Sequence, residues 1–332
     1  MKKIAIFVLL WAIPLYGWNI DLVGSWLTEY DSNICNLSKS ELEEFGSDYL
    51  AAQETKLNTY DDWINGSIFK LRIKEYPAWG TFTLKRYFYA KNPIKDYSVF
   101  SLWFMLKITS KSYITALYSY VPSYNYRTYY DEDSSGYEWC GYAVNKFKVE
   151  VRRKFAQNYQ LNLALRYSLY YYNSAFREYD SHKPGISISL ERETPSLFSK
   201  LELSYANRLA RGYDSQQEVK KISDENDISY HQIAVGWQVA KPVGNFKIAA
   251  TTSYEHNIYT TKKEDTLHKD RTEHIIMWGV NAQMPTILGI NLSVGISNKH
   301  RDANLPHFDH PNIKDYNKWI IYCNWQYEIG LL

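Results

Sequence analysis

The stretch YQLNLALRYSLYY places Tyr159, Leu161, Leu163, Leu165, Tyr167, Leu169 and Tyr171 on alternate positions, with Gln160, Asn162, Ala164, Arg166, Ser168 and Tyr170 between them. Successive side chains of an extended chain point to opposite faces, so this is a β-strand with an oily face and a wetter one. The chain closes on the same rhythm. In NKWIIYCNWQYEIGLL the residues Trp319, Ile321, Cys323, Trp325, Tyr327, Ile329 and Leu331 alternate with Lys318, Ile320, Tyr322, Asn324, Gln326, Glu328 and Gly330. Near the other end, WNIDLVGSWLTEYD sets Trp18, Ile20, Leu22, Gly24, Trp26, Thr28 and Tyr30 against Asn19, Asp21, Ser25, Glu29 and Asp31. A soluble sheet also alternates, so the pattern fixes the strands before it fixes the solvent around them.

The connections decide the solvent. Further alternating runs lie around Phe69–Ile73, Phe100–Ile108, Ile114–Tyr120, Ile186–Leu190, Leu201–Tyr205, Ile233–Val239, Phe246–Tyr254, Ile276–Ala282 and Ile290–Ile296, with weaker ones at Thr81–Ala90 and Ala143–Arg153. The total is about 14 strands, within roughly 12–16, because element boundaries are the least legible feature of a sequence. One series of connections is short: YPAW, TSKS, KFAQN, TPSLFS, KPVGN and PTILG. The other is long and polar: Ser32–Tyr60, Tyr124–Cys140, Asn173–Lys183, Arg211–Ser229, Thr260–Thr272 and His300–Asn317, with Lys91–Tyr97 as a short exception. Short turns on one side and long loops on the other, on an even number of strands, describe an all-β transmembrane antiparallel up-and-down barrel of the outer-membrane type. In lipid every backbone amide needs a partner, which forces such a sheet to close on itself.

Composition agrees. The chain holds 31 Tyr, 13 Phe and 11 Trp, residues suited to surfaces that meet both lipid and water. Its formal net charge of +2 gives no reason to expect a nucleic-acid partner. MKKIAIFVLLWAIPLYG has two early lysines and a short apolar core, the form of a secretory signal peptide over residues 1–17. That leaves one barrel domain over 18–332, with its first strand beginning too early for an N-terminal plug. Cys35, Cys140 and Cys323 match no metal or redox spacing, and a pairing of Cys35 with Cys140 stays open. Ser38 and Glu41 have capping-box spacing, which predicts helical character inside the first long loop.

YDSNI at Tyr30–Ile34 resembles an element that ends the first strand of many bacterial outer-membrane β-barrel proteins of unknown function. TYDDWI at Thr59–Ile64 and GYEWCGY at Gly136–Tyr142 look like loop motifs of the same kind. The apolar closing strand is similar to the segment that the barrel-insertion machinery reads, although it ends in Leu331 and Leu332 instead of Phe. The resemblance implies a Gram-negative outer-membrane location and contact with outer-membrane lipids and lipopolysaccharide. It implies no activity.

Assigning faces strand by strand gives a lumen. Its expected basic wall carries Lys70, Arg72, Lys85, Lys146, Lys148 and Arg166, and its expected acidic arc carries Asp21, Glu29, Glu191, Glu202, Glu255 and Glu328. Facing walls of opposite sign would set a field across a water-filled pore that favours small polar or charged solutes. The alternative is that these charges pair and fill the interior, leaving a structural or surface-interaction barrel. A barrel hydrolase is the third reading. GISNKHRD offers Ser297, His300 and Asp302, but Ser297 and His300 fall on opposite faces of a strand. His307, Asp309 and His310 lack a tight ligand spacing, and the acidic run Asp131–Ser135 lacks that of a calcium loop. No catalytic set, metal or cofactor is therefore expected.

Overall fold

The computed structural model describes residues 19–45, 56–131, 134–210, 227–261, 267–307 and 314–330. Fourteen strands follow one another: β1 (Asn19–Asp31), β2 (Asp62–Glu75), β3 (Ala78–Tyr89), β4 (Tyr97–Thr109), β5 (Ser112–Asp131), β6 (Gly136–Ala156), β7 (Tyr159–Tyr172), β8 (Ser181–Thr194), β9 (Leu197–Ala210), β10 (Tyr230–Val243), β11 (Phe246–Tyr259), β12 (Thr272–Gln283), β13 (Ile290–Asn304) and β14 (Tyr316–Gly330). Each pairs antiparallel with its neighbours in sequence, and β1 pairs with β14, so the sheet is a closed ring. The seam runs without a break in register from Asp21 opposite Gly330 to Asp31 opposite Ile320.

The expected faces are the observed ones. Leu165 is 61% exposed while its neighbour Ala164 is 2% exposed, so the oily face points out of the ring. Cross-strand pairing joins Leu163, Ile188, Leu203, Val235 and Tyr254 into one slanting outer row. Aromatic residues flank such rows. Tyr159 and Phe246 stand near the short turns; Tyr171, Tyr205 and Trp319 stand nearer the long loops, and Trp319 packs edge-on against mid-strand Trp278 at 5.2 Å. An apolar band between aromatic girdles suits a lipid surrounding and would be costly in water.

At one end most turns are two residues long, such as Tyr76–Pro77, Gln157–Asn158 and Gly244–Asn245. Gly244 has φ +59°, which a side chain would resist. The long connections gather at the other end. The first contains a short helix, α1 (Lys39–Glu44), closed by the expected capping box between Ser38 and Glu41.

Two expectations need correcting. Tyr124–Cys140 is not a loop, because β5 and β6 run through most of it and reach 20 and 21 residues. Register shifts between Val121 and Tyr124 and between Asn125 and Arg127 break the period-two pattern, so the strand is illegible there. At ~3.3 Å per residue and a tilt near 45°, this hairpin stands roughly 45–50 Å tall, beyond the oily layer. Likewise β13 continues through Arg301 to Asn304, where a loop was expected from His300. The expected signal peptide and the terminal Leu331 and Leu332 lie outside the described residues.

Candidate solute site in the barrel lumen

Strand parity places all twelve expected lining residues on the face opposite the apolar rows. Asp21 stands opposite Arg72, Lys148 opposite Arg166, and Gln160 opposite Glu191, which in turn faces Lys200. The charges do not form two unopposed walls. Arg72 bonds Glu328 at 2.8 Å and Lys74 bonds Asp21 at 2.6 Å, both around β1. Lys148 and Arg152 share Glu150. Arg166 bonds Glu202, and Lys200 lies 3.3 Å from Glu191 and 3.4 Å from Glu202. Pairs within one strand, between neighbours and across an intervening strand bring opposite charges together at short range, where attraction exceeds any cross-lumen field. Lys70, Lys85 and Lys146 have no carboxylate within ion-pair distance among the described residues. Glu255 accepts a hydrogen bond from Gln232 at 3.0 Å. Arg166, Lys200, Glu202, Ser204, Gln238 and Glu255 surround an internal cavity of about 290 Å³.

The mouth is narrowed by the first long connection. Ile34, Leu37 and Leu57 pack in one cluster with Ile64 and Tyr89. Ile64 and Tyr89 are cross-strand partners on the same face as Lys70, so the loop sits inside the ring's rim. The motifs recognised in the sequence build this arrangement. In YDSNI, Asn33 donates to the Leu37 carbonyl and accepts from the Leu37 amide, both at 2.8 Å, while Asp31 accepts from Lys318. In TYDDWI, Asp61 accepts from the Tyr30 hydroxyl at 2.9 Å, and Asp62 accepts the amides of Lys91 and Asn92. In GYEWCGY, a Cβ on Gly141 would meet Asn125 Oδ1 at 2.6 Å, so a larger residue there would displace the Asn125 amide.

Buried Lys95 ties this layer to β5. Its ammonium donates to the carbonyls of Asn125 at 3.0 Å and Tyr126 at 2.6 Å, and lies 3.4 Å from Cys35 Sγ. Glu41 on α1 bonds Arg127 on β5. Burial would raise the Glu41 carboxyl, but the Arg127 guanidinium and the Ser38 amide outweigh it and hold it below the usual carboxylate range. Cys35, Cys140 and Cys323 are all free thiols, which settles the question of pairing.

Beneath the loops lies a second cavity of about 320 Å³, lined by side chains from β5, β6, β7, β9, β11 and β13. Elements on opposite arcs of the ring can converge only inside it. Arg208, Arg271, Arg301 and Lys314 reach this cavity among tyrosines that include Tyr129, Tyr172 and Tyr259. Arg271 bonds Glu273, and Arg301 Nη1 lies 3.7 Å from the same carboxylate. Arg208 donates to the Tyr172 hydroxyl and to Ser181 Oγ, each at 2.9 Å. Burial, then Arg127 and Arg271, push the Lys314 ammonium down to about 7.

Sequence reasoning missed Arg127, Arg271, Arg301 and Lys314, all in stretches read as long polar connections. Alternation with Tyr129 along β5 was the one available signal for Arg127. The hydrolase set does not assemble, since Ser297 pairs with inward Gly279 while His300 pairs with outward Ile276. His307 bonds Asp270 at 2.8 Å, whereas Asp309 and His310 lie outside the described residues.

No known protein family matches the sequence, and no curated protein does. Among solved structures, the chain is similar to the outer-membrane channel DcaP of Acinetobacter baumannii, at 10% identity, covering 94% of this chain and 98% of that one with a TM-score of 0.49. It is also similar to in-vitro folded OmpT, an outer-membrane protein of Vibrio cholerae, at 7% identity, 93% and 98% coverage and a TM-score of 0.48. A bacterial polysaccharide outer membrane secretin gives 7% identity, 92% and 98% coverage and a TM-score of 0.46. Likeness at this level says nothing of a solute. The closed ring with its apolar band and charged interior defines this chain as a barrel of the outer-membrane type, and the strand register alone carries that statement.

Proposed function

We propose that this protein is an outer-membrane channel for passive diffusion of small polar or charged solutes, narrowed at its outer mouth by the first long connection. The supporting observation is the ring's inner face, where charged and hydroxyl side chains border cavities of about 290 and 320 Å³. Polar groups of both signs replace part of a solute's hydration and let it leave again. Lys70, Lys85 and Lys146, with no carboxylate within ion-pair distance among the described residues, give this lining a basic excess. Outer-membrane lipids and lipopolysaccharide then contact the apolar band and its girdles, and the barrel-insertion machinery delivers the chain after removal of residues 1–17. The test is conductance of the purified barrel in a planar bilayer: discrete steps whose anion preference falls when Lys70, Lys85 and Lys146 are reversed to Glu.

The local pairing of Glu150 with Lys148 and Arg152, and of Glu202 with Arg166 and Lys200, favours a second reading, a structural or surface-interaction barrel with a filled interior. A folded barrel that gives no steps under any applied voltage supports that reading instead.

A further inference from the structure

Four cationic side chains line the mouth cavity, and none of its lining residues among the described ones is a carboxylate. The carboxylates close to these cations are already engaged: Glu273 serves Arg271 and Arg301, and Glu41 serves Arg127. Glu178 is buried beside Cys140. Arg208 and Lys314 have no carboxylate within ion-pair distance among the described residues. They rest on ring faces instead, Arg208 4.8 Å from the Tyr170 centroid and Lys314 5.0 Å from that of Tyr129. Arg271 and Arg301 lie over Tyr259 and Tyr316, both at 4.7 Å. Arg271 Nε is buried and has no acceptor.

A guanidinium has five N–H donors, and those that the protein does not engage can take a carboxylate or phosphate; Arg208 spends one on Tyr172 and one on Ser181, and Arg301 spends its Nε on the Lys314 carbonyl. Gathering several such groups away from bulk water, with two lacking a carboxylate partner among the described residues, is costly unless an anion joins them. The cavity volume, about 320 Å³, is that of a small-molecule site. Tyrosine hydroxyls and rings complete a lining that can hold the body of an organic solute as well as its charges.

From this geometry we infer that the mouth cavity, with Arg208, Arg271, Arg301 and Lys314, is a binding site for small organic or inorganic polyanions bearing two or more carboxylate or phosphate groups. The inference deepens the channel reading by naming the solute class, and it rests on that reading for the solute's route only.

Calorimetry on the purified barrel in nonionic detergent tests the binding, with citrate, pyrophosphate and glucose as probes. Citrate and pyrophosphate bind saturably and glucose does not. Removing one charge-assisted contact by Arg208→Gln or by Lys314→Met weakens both anions about tenfold or more. The charge-preserving Lys314→Arg retains binding within a few-fold and guards against loss of fold, which heat-modifiable migration on gels checks independently. The inference is overturned if neither anion saturates, if glucose binds as well as citrate, or if both charge-removing variants bind like the parent. Bilayer recording separates the two claims: binding without conductance overturns the channel and leaves the anion site, and conductance without anion binding does the reverse.

Discussion

Lys318 Nζ lies 2.8 Å from Asp31 Oδ2, joining the first and last strands of the ring with both side chains largely buried. Ser32 extends the link: its amide donates to the Trp319 carbonyl at 3.0 Å, and its hydroxyl accepts the Trp319 amide at 2.8 Å. Lys318→Met leaves the Asp31 carboxylate without its cation, a loss of about 3 kcal/mol. The double variant with Asp31→Asn recovers part of that loss. Urea unfolding in detergent, followed by tryptophan fluorescence, measures both, and additive losses would show that the two residues do not interact.

The outward rows respond to charge by depth. Leu203→Arg puts a guanidinium on the lipid face in mid-strand and destabilises the barrel in bilayers by about 2–4 kcal/mol. Ser204→Arg, one residue along and facing inward, costs much less and shifts ion selectivity toward anions. Equal destabilisation by the two substitutions would contradict the assignment of faces.

The Glu41–Arg127 bond and the Ser38 cap hold α1 against β5. Glu41→Gln removes a charge-assisted contact worth about 2 kcal/mol, a shift of roughly 30-fold in the docking equilibrium of the first connection. Single-channel conductance rises with it. Ser38→Ala, which loses a cap worth about 1 kcal/mol, acts in the same direction with a smaller effect. An unchanged conductance in both variants would show that the loop does not narrow the path.

With its ammonium pushed down to about 7 by burial and by the neighbouring Arg127, Arg271 and Arg301, Lys314 changes charge near neutrality. It is charged below that pH and neutral above it, so anion affinity and anion selectivity fall as pH rises from 6 to 8. Glu41 on α1 and Tyr129 on β5 are its other close neighbours. Lys314→Met flattens the step. His268 lines the same cavity, so His268→Gln is the control and keeps the step.

Where alternation is uninterrupted, as in β7, β9 and β14, sequence and structure agree on strand and face, because period two leaves one arrangement in lipid. The capping box was equally legible, being a local device. The mouth was not. Bulges after Val121 and Asn125 shift the parity of β5, so Arg127 and Tyr129 look like loop residues until pairing with β6 is known. Arg271, Arg301 and Lys314 lie on or beside the successive strands β12, β13 and β14, whose pairing brings them together, and only the curvature of the ring sets them in one cavity with Arg208 on β9. The ion pairs were half legible: the inward charges could be read, but not that Arg166 reaches Glu202 two strands away.

Single-channel recording with a salt gradient across the bilayer tests the central claim most directly. A water-filled ring with a basic excess gives discrete steps and a reversal potential on the anion side, reduced in the Lys70→Glu, Lys85→Glu and Lys146→Glu triple variant. A correctly folded, membrane-inserted barrel that passes no current, or whose selectivity is unmoved by that variant, would contradict it.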